Sequence, residues 1–333
     1  PLFQGHLQDP MMHAVIEGTM KGKVWVDDMG TPSAALVWTG RECAYLAGGE
    51  ENGEFNQALR QLVVETIMPA AQAAGHEFLS LFSFPDSYAP TLEKLFGAQA
   101  PLRTPLSTFD FDEATFLERH GEPRAQPVAP LRLKHIGVEE LRNPEHAYLS
   151  AEIASYWESV ERFLDEGCGY CVLDGEGMVS WCYVQAYGHG AQTIDIWTAP
   201  SHRRQGLGTL VGAAVIERSL REGYKAFWIC DRENAGSRKL AERLGFAYAG
   251  DISLVDIPFA PYRFYLELAK AIFLPQGAHR QAAEAFDRAF SFGQGEAEDY
   301  SQAAEAWALA GEPERSLAYM QKSIEAQSYR DAT

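Results

Sequence analysis

The sequence has no apolar run near the length of a membrane span, few basic residues and only five cysteines among its 333 residues. A helix that crosses a bilayer needs about 20 predominantly apolar residues, so we predict no contact with a membrane. The N-terminus lacks the charged and apolar regions of a signal peptide, so we expect a cytoplasmic protein. Lys and Arg total 28 against 46 Asp and Glu. The resulting net charge of −18 argues against nucleic acid as a partner, because its phosphates would be repelled.

The cysteines offer little support for a metal site. An odd number of cysteines in a long chain favours reduced thiols. Cys168-Gly-Tyr-Cys171 has the Cys-x-x-Cys spacing, but no second pair of Cys or His accompanies it. We therefore predict that the protein holds no metal.

The stretch 192–246 carries the pattern with the most chemistry. In its loop, Arg203-Arg-Gln-Gly-Leu-Gly208 places two glycines where a strand turns into a helix, so backbone amides can approach an anion closely. The helix N-terminus and the two arginines add positive charge, and together they predict a diphosphate-binding loop. The elements expected around it are a strand (193–198), the loop (199–208), a helix (209–222), a second strand (225–231) and a second helix (234–244).

The spacing separates this loop from other nucleotide-binding loops. A Walker loop ends in Gly-Lys-Ser/Thr, and a Rossmann loop has three glycines followed by an acid after the next strand. Here there are two glycines and no lysine, and Asp231-Arg-Glu-Asn234 follows the next strand. Arg/Gln-x-x-Gly-x-Gly/Ala, then an Asn opening a helix that ends in Leu-Gly-Phe246, resembles the GNAT N-acetyltransferases.

That resemblance implies acetyl-coenzyme A (acetyl-CoA) as the co-substrate. In the family the loop holds the pyrophosphate, the first strand lends main-chain groups to the pantetheine arm, and the Asn supports the arm from the far side. The cofactor-binding positions that match here are Ile196, Trp197, Thr198, Arg203, Arg204, Gln205, Gly206, Leu207, Gly208, Thr209, Asn234 and Ser237.

The resemblance also implies direct attack of an amine on the thioester within a ternary complex. The Tyr that protonates the leaving thiolate in this family lies seven positions after the Asn, where this chain has Ala241. Ser237, Tyr248, Cys230 or water are the open alternatives. Ser237 is therefore one catalytic candidate.

Asp195 is the other catalytic candidate. It lies five residues before Pro200, where polyamine-acetylating members of the family carry an acid that meets the substrate ammonium. It can hold a cationic amine or relay its proton; the alternative is an Asp solvated at the sheet surface. Further candidates are Glu152, Glu158, Glu161, His189 and His202, for which solvated or supporting roles are the alternative.

The first 125 residues repeat this plan in a degenerate form. Phe82-Ser-Phe-Pro-Asp86 parallels Ile229-Cys-Asp-Arg-Glu233, and each is followed by a helix that ends near a Gly. The equivalent of the anion loop, Ala47–Gly53, has two acids and no arginine. Negative side chains would oppose a diphosphate, so we predict that this half binds no cofactor, braces the active half and lines the substrate cleft.

The predicted fold is α/β (α+β): a duplicated GNAT fold with a mixed, mostly antiparallel sheet flanked by helices, plus a C-terminal helical repeat. The expected domains are a degenerate GNAT-like domain (1–125), a catalytic GNAT domain (126–260) after the proline-rich linker Gly121–Pro130, and a helical tail (261–333). In the tail, Gln281–Phe290 aligns with Arg315–Ile324 at an offset of 34, which resembles a tetratricopeptide repeat. Such a tail can cap the body, form a homodimer or contact another protein.

The predicted function is acetyl-CoA-dependent N-acetylation of a primary amine on a small, cationic substrate, which the acidic composition suits. The doubled plan is similar to bacterial self-resistance acetyltransferases of the zwittermicin and paenilamicin kind, which implies an antibiotic substrate. The alternative is an acetyl-CoA-binding sensor with little or no turnover.

Overall fold

The computed structural model describes residues 2–3, 9–121 and 130–332, with side chains up to residue 328. Most of the predicted linker Gly121–Pro130, its residues 122–129, lies outside the described residues, as does the predicted domain boundary at residue 125. Within the described ranges, no helix has both the length and the apolar character needed to cross a membrane.

Helices and strands alternate through most of the described chain. The helices are α1 (Pro10–Glu17), α2 (Gly53–Leu62), α3 (Met68–Ala73), α4 (Ala89–Leu95), α5 (Glu113–His120), α6 (Val138–Arg142), α7 (Ala147–Trp157), α8 (Val160–Glu166), α9 (Leu207–Arg221), α10 (Ala235–Arg243), α11 (Pro261–Glu267), α12 (His279–Phe290), α13 (Ala297–Leu309) and α14 (Pro313–Ala332). The strands are β1 (Lys23–Val26), β2 (Ala34–Trp38), β3 (Cys43–Gly48), β4 (Phe78–Phe84), β5 (Leu102–Phe111), β6 (Leu131–His135), β7 (Gly169–Asp174), β8 (Gly177–Gly188), β9 (Ala191–Thr198), β10 (Lys225–Asp231) and β11 (Phe246–Pro258).

The strands form one sheet in the order β1-β2-β3-β4-β11-β5-β10-β9-β8-β7-β6. Among the pairs with a described register, β3–β4 and β9–β10 are parallel and the others antiparallel. The predicted mixed, mostly antiparallel sheet is confirmed.

The two halves of the sheet have the same plan. In the first half, β2 and β3 pair antiparallel, α2 follows, and β4 returns parallel to β3. In the second half, β8, β9, α9 and β10 repeat that arrangement. The predicted duplication is therefore confirmed.

The last strands of the two halves are exchanged. β5 ends the first half but pairs antiparallel with β10 of the second half, while β11 lies between β4 and β5. Across the exchange, Ser107 Oγ donates to Asp251 Oδ1 at 2.8 Å. Residues 251–257 therefore do not complete the sheet of the second half, because β5 occupies the edge of β10.

The exchange gives the two halves a shared core. Met12, Tyr45 and Phe82 of the first half belong to the same buried cluster as Ala186 of the second half, and Ile229 packs against it. At about 25 cal/mol per Å² of buried apolar surface, such continuous burial favours folding of the two halves together.

The described contacts divide the chain into two compact units. One comprises Pro1–Leu59, Ser80–Leu92 and Arg103–Val255, and the other Arg60–Leu79, Glu93–Leu102 and Asp256–Thr333. The first unit contains most of both sheet halves, so its limits differ from the domains expected from the sequence, which stay a prediction.

The second unit contains the C-terminal helices around the buried side chains of Tyr265, Phe286 and Trp307. The predicted helical region is confirmed. Its helices α12 and α14 begin 34 residues apart, the offset seen in the sequence. A tetratricopeptide-like tail stays a prediction.

Candidate active site

An opening between β9 and β10 lies at the centre of the second half. These parallel strands pair only over Ala191–Thr193 and Lys225–Phe227, and the described register stops there. Hydrogen bonding alternates along the antiparallel β8–β9 pair, and the Ala199 amide donates to Val179 O at 2.8 Å. The amides of Ile196 and Thr198 therefore point to the other side, into the opening.

The loop after β9 ends in an uncapped helix N-terminus. Gly206 has φ +82° and occupies the N-cap position of α9 without a side-chain hydrogen bond to the helix. The amides of Leu207, Gly208 and Thr209 follow in the first turn, where a helix offers no intrahelical acceptor. The first turn also contains no acid. This arrangement is suited to binding an anion.

Two arginines flank that helix end. Arg203 Nε donates to Thr198 O at 3.1 Å, which links the loop to the end of β9. Arg204 has φ +64° and its side chain is exposed. Neither guanidinium forms an ion pair with a carboxylate among the described residues. Gln205 Nε2 donates to Ser201 O at 3.4 Å within the same loop.

Glycines allow α9 to lie close to β9 and α10. A Cβ on Gly208 would lie 3.4 Å from Leu240 Cδ2, and one on Gly212 would lie 2.8 Å from Leu244 Cδ1 and 3.3 Å from Ile196 Cδ1. A larger residue at position 212 would force these side chains to move. The close packing holds the helix N-terminus beside the end of β9.

The start of α10 follows β10. Asn234 caps this helix, with its Oδ1 accepting from the Ser237 amide at 3.0 Å. Ser237 Oγ accepts from Trp228 Nε1 at 3.2 Å. The two positions predicted to support the cofactor from the far side are thus held together in one turn.

Asp195 lies on the face of β9 opposite to Ile194 and Ile196, which pack toward α9 and α10. It is half-buried rather than solvated, and its Oδ1 accepts from the Ile196 amide at 2.8 Å. Burial raises the pKa of its carboxyl, and that hydrogen bond lowers the pKa in part. Trp197, two residues along on the same face, is 37% exposed and stacks on Trp181.

A second carboxyl and two tyrosines surround Asp195. Tyr183 on β8 lies directly opposite Asp195 and is completely buried. Burial raises the pKa of Glu152 on α7, and the charge of Asp195 raises it further. Burial also raises the pKa of Tyr156, on the same helix, and the charge of Asp195 adds to the shift. We call Asp195, Glu152, Tyr156 and Tyr183, with Arg41 and Glu42 described next, the acidic pocket.

The first half supplies two residues to the acidic pocket. Arg41 and Glu42, in the turn between β2 and β3, form an ion pair at 3.4 Å, and their side chains are only 21% and 22% exposed. Glu42 Oε1 accepts from the Tyr156 hydroxyl at 3.3 Å, and the Arg41 guanidinium lies 4.1 Å from the Tyr156 ring centroid. The charge of Arg41 lowers the pKa of Glu152. The acidic pocket thus contains three carboxyls, those of Glu42, Glu152 and Asp195, and one guanidinium, that of Arg41.

In the first half, the loop Ala47–Gly53 corresponds to the loop 203–208 of the second half, and nearby side chains fill the space beside it. Asn52 Oδ1 accepts from the Phe55 amide at 3.0 Å and so caps α2. The Phe55 ring fills the space beside Gly49, where a Cβ would lie 2.5 Å from Phe55 Cδ1. The fully buried Tyr88 donates to Asn56 behind the loop. This helix end offers no equivalent opening for an anion.

Comparison with known proteins agrees with this geometry. The family model for GNAT acetyltransferases matches residues 1–254, which span both halves of the sheet. This chain belongs to the GNAT acetyltransferase family. The uncharacterized N-acetyltransferase YdfB of Bacillus subtilis (strain 168) is 26% identical over 245 residues, covering 74% of this chain and 89% of that protein. The crystal structure of a GCN5-related N-acetyltransferase-like protein from Streptococcus suis 89/1591 has a TM-score of 0.58 and 22% identity, covering 77% and 95% of the two chains. The latter similarity shows a shared fold.

At the position where the resemblance predicted a general acid, this GNAT chain has Ala241. Ala241 is completely buried against Leu244 and Phe246, so no polar group occupies the place of the usual Tyr. Of the predicted substitutes, Cys230 is half-buried, and burial raises the pKa of its thiol while the Ser237 hydroxyl lowers it in part. Tyr248 is 52% exposed. Cys230 and Ser237 are brought together, and Tyr248 lies at the surface.

The remaining predicted candidates lie outside the acidic pocket. Glu158 pairs with Lys21 and Arg162, each at 3.8 Å, and Glu161 is exposed. His189 is at the β8–β9 hairpin tip, and about 13 Å of extended strand from Ala191 to Asp195 separates the tip from the pocket. His202 Nε2 lies 3.4 Å from Asp174 Oδ2 and links the loop of residues 199–208, which we call the GNAT loop, to the β7–β8 turn.

Proposed function

We propose that this GNAT protein transfers the acetyl group of acetyl-CoA to a primary amine of a small, positively charged molecule. The observation that carries the proposal is the uncapped N-terminus of α9 at the mouth of the β9–β10 opening, beside two arginines that form no ion pair with any described residue. The matching helix end of the first half is capped by Asn52. We therefore expect one cofactor per chain.

The residues at this opening fit the co-substrate. Bound acetyl-CoA supplies an acyl thioester that an amine can attack. The amides of Gly208 and Thr209, with Arg204, would hold the diphosphate. The amides of Ile196 and Thr198 would donate to the pantetheine arm and to the acetyl carbonyl as negative charge develops there. Asn234 and Ser237 would bound the arm on the other side.

The acidic pocket would hold the amine acceptor. Its three carboxyls outnumber its one guanidinium, which favours a cation. The neutral amine forms a C–N bond as the C–S bond breaks. The proton that the amine nitrogen loses on forming this bond passes to Asp195 or Glu152. Burial raises the pKa of both carboxyls toward the range that suits a base. The leaving thiolate takes a proton from Cys230, Ser237 or water.

The absence of a polar group at Ala241 favours a second candidate, a family member that binds acetyl-CoA with very slow turnover and acts as a sensor. The self-resistance role, the cytoplasmic location and a contact or dimer through the tail stay predictions. A cationic antibiotic belongs to the proposed substrate class.

Calorimetry with acetyl-CoA, followed by a thiol-release assay, tests the proposal. The acceptor panel contains monoamines, diamines, polyamines, an aminoglycoside, a cationic peptide antibiotic, a free peptide N-terminus and a neutral amine of matched size. We expect one equivalent of acetyl-CoA per chain and faster thiol release with acceptors that carry a further positive charge. Binding with no release from any amine supports the sensor, and no binding overturns both.

A further inference from the structure

Two histidines and a glutamate converge at the tip of the β8–β9 hairpin. His13 and Glu17 lie on α1, and His189 lies in the turn between the two strands. One ligand atom from each of the three side chains lies within 4.8 Å of the others. His13 and Glu17 are four residues apart on a helix, so both present their side chains to the same neighbour.

The backbone of this region is shaped to bring the three residues together. A Cβ on Gly188 would lie 2.7 Å from the Ala14 amide nitrogen and 2.8 Å from His13 Cβ, so α1 approaches the hairpin only because this residue is glycine. His189 has φ +52°, which is uncommon for a residue other than glycine. Its amide donates to both carboxylate oxygens of Glu17, at 3.1 and 3.3 Å. The hairpin tip is thereby fixed on the helix.

The two imidazoles lie against each other. Their rings stack with centroids 4.4 Å apart and an interplanar angle of 15°. Imidazole nitrogen is the commonest side-chain ligand of zinc and similar cations in proteins.

We propose that His13, Glu17 and His189 bind a divalent transition-metal cation, most simply Zn²⁺, and that the cation joins α1 to the β8–β9 hairpin. Two imidazoles and one carboxylate are a ligand set that Zn²⁺ takes, with solvent completing the tetrahedron. Because α1 belongs to the first half of the chain and the β8–β9 hairpin to the second, the bound ion would link the halves. Metal that binds only the folded state stabilises it by mass action. This proposal is independent of the acetyltransferase site, and it replaces the expectation, drawn from the cysteines, that the chain holds no metal.

Titration of the chelator-treated full chain with Zn²⁺, by calorimetry and by thermal unfolding, tests the site. The variants are His13→Ala, Glu17→Gln and His189→Asn, the last because Asn tolerates the left-handed backbone. His135→Asn, at an exposed position on β6, is the matched control. We expect the wild type and His135→Asn to bind one equivalent and to unfold at a higher temperature with Zn²⁺. The two histidine variants should bind at least about tenfold more weakly and lose that rise in Tm.

Two results would overturn the site. Absence of Zn²⁺ binding by the wild type is one. The other is equal affinity in all variants, which would assign the metal to other ligands such as cysteine thiols. The affinity for acetyl-CoA provides a check on folding, since none of these substitutions touches the GNAT loop.

Discussion

The Asp195 carboxylate accepts a 2.8 Å hydrogen bond from the amide of Ile196, one of the two amides of β9 that point into the opening. The carboxylate proposed to hold the acceptor ammonium thus also covers a proposed main-chain donor to the acetyl carbonyl. An ammonium that draws the carboxylate toward itself would free this amide for the thioester. Acceptor binding and exposure of the donor would then be coupled through a single side chain.

Asp195→Asn tests the role of the charge. The amide oxygen of Asn can still accept from Ile196, so the local backbone should be retained while the negative charge and the proton acceptor are lost. We expect kcat to fall by about 10²-fold or more and the Kd of acetyl-CoA to stay within about twofold. Asp165→Asn, at an exposed position on α8, is the control and should leave both constants unchanged. Wild-type kinetics in Asp195→Asn would remove Asp195 from the mechanism.

The same substitution has an expected effect on stability. Burial raises the pKa of Asp195 in the folded chain, so the native state binds this proton more tightly than the unfolded state. The stability it contributes is present at low pH and is lost as pH rises through the folded pKa. Asn is always neutral, so Asp195→Asn should have a higher Tm than wild type near neutral pH, and the difference should shrink in acid. Thermal unfolding between about pH 4 and pH 8 measures it. A lower Tm for the variant at every pH would show that the carboxylate stabilises the fold.

The features that could be predicted from the sequence depend on residues close together in the chain. β10 matches its predicted range to the residue, and the loop of 203–208 with the cap at Asn234 follows from glycine and capping preferences within a few residues. β5 was not predicted, because Pro105 interrupts a run that also contains Arg103 and Thr104, and proline disfavours a central strand. Its partner β10 lies more than a hundred residues later, beyond the reach of any local pattern.

The acidic pocket could not be predicted in full for the same reason, because its residues come from distant parts of the chain. Asp195 could be proposed because the family resemblance implies an acid five residues before Pro200, but Arg41, Glu42 and Tyr183 come from other elements and share no spacing with it. Only the shared core of the two halves brings the β2–β3 turn beside α7.

Charge reversal at the GNAT loop tests the cofactor site. Arg204 is exposed and forms no ion pair with a described residue, so Arg204→Glu should leave the fold intact while placing a negative charge beside the diphosphate. We expect acetyl-CoA to bind at least about tenfold more weakly, or about 1.4 kcal/mol. Arg142→Glu, exposed at the end of α6, makes the same change in net charge and is the control. Equal affinities in the two variants would show that the diphosphate binds elsewhere.

The two helix caps distinguish the halves. Asn52 caps α2 and Asn234 caps α10, each by accepting from an amide three residues along at 3.0 Å. Loss of either side-chain cap should lower the free energy of unfolding by about 1 kcal/mol, since one helix amide loses its acceptor. Asn234→Ala should also weaken acetyl-CoA binding, because Asn234 flanks the proposed pantetheine site, whereas Asn52→Ala should leave binding unchanged. Chemical denaturation and calorimetry on the pair separate the two effects. Weaker acetyl-CoA binding in Asn52→Ala, with no loss in Asn234→Ala, would assign the cofactor to the first half.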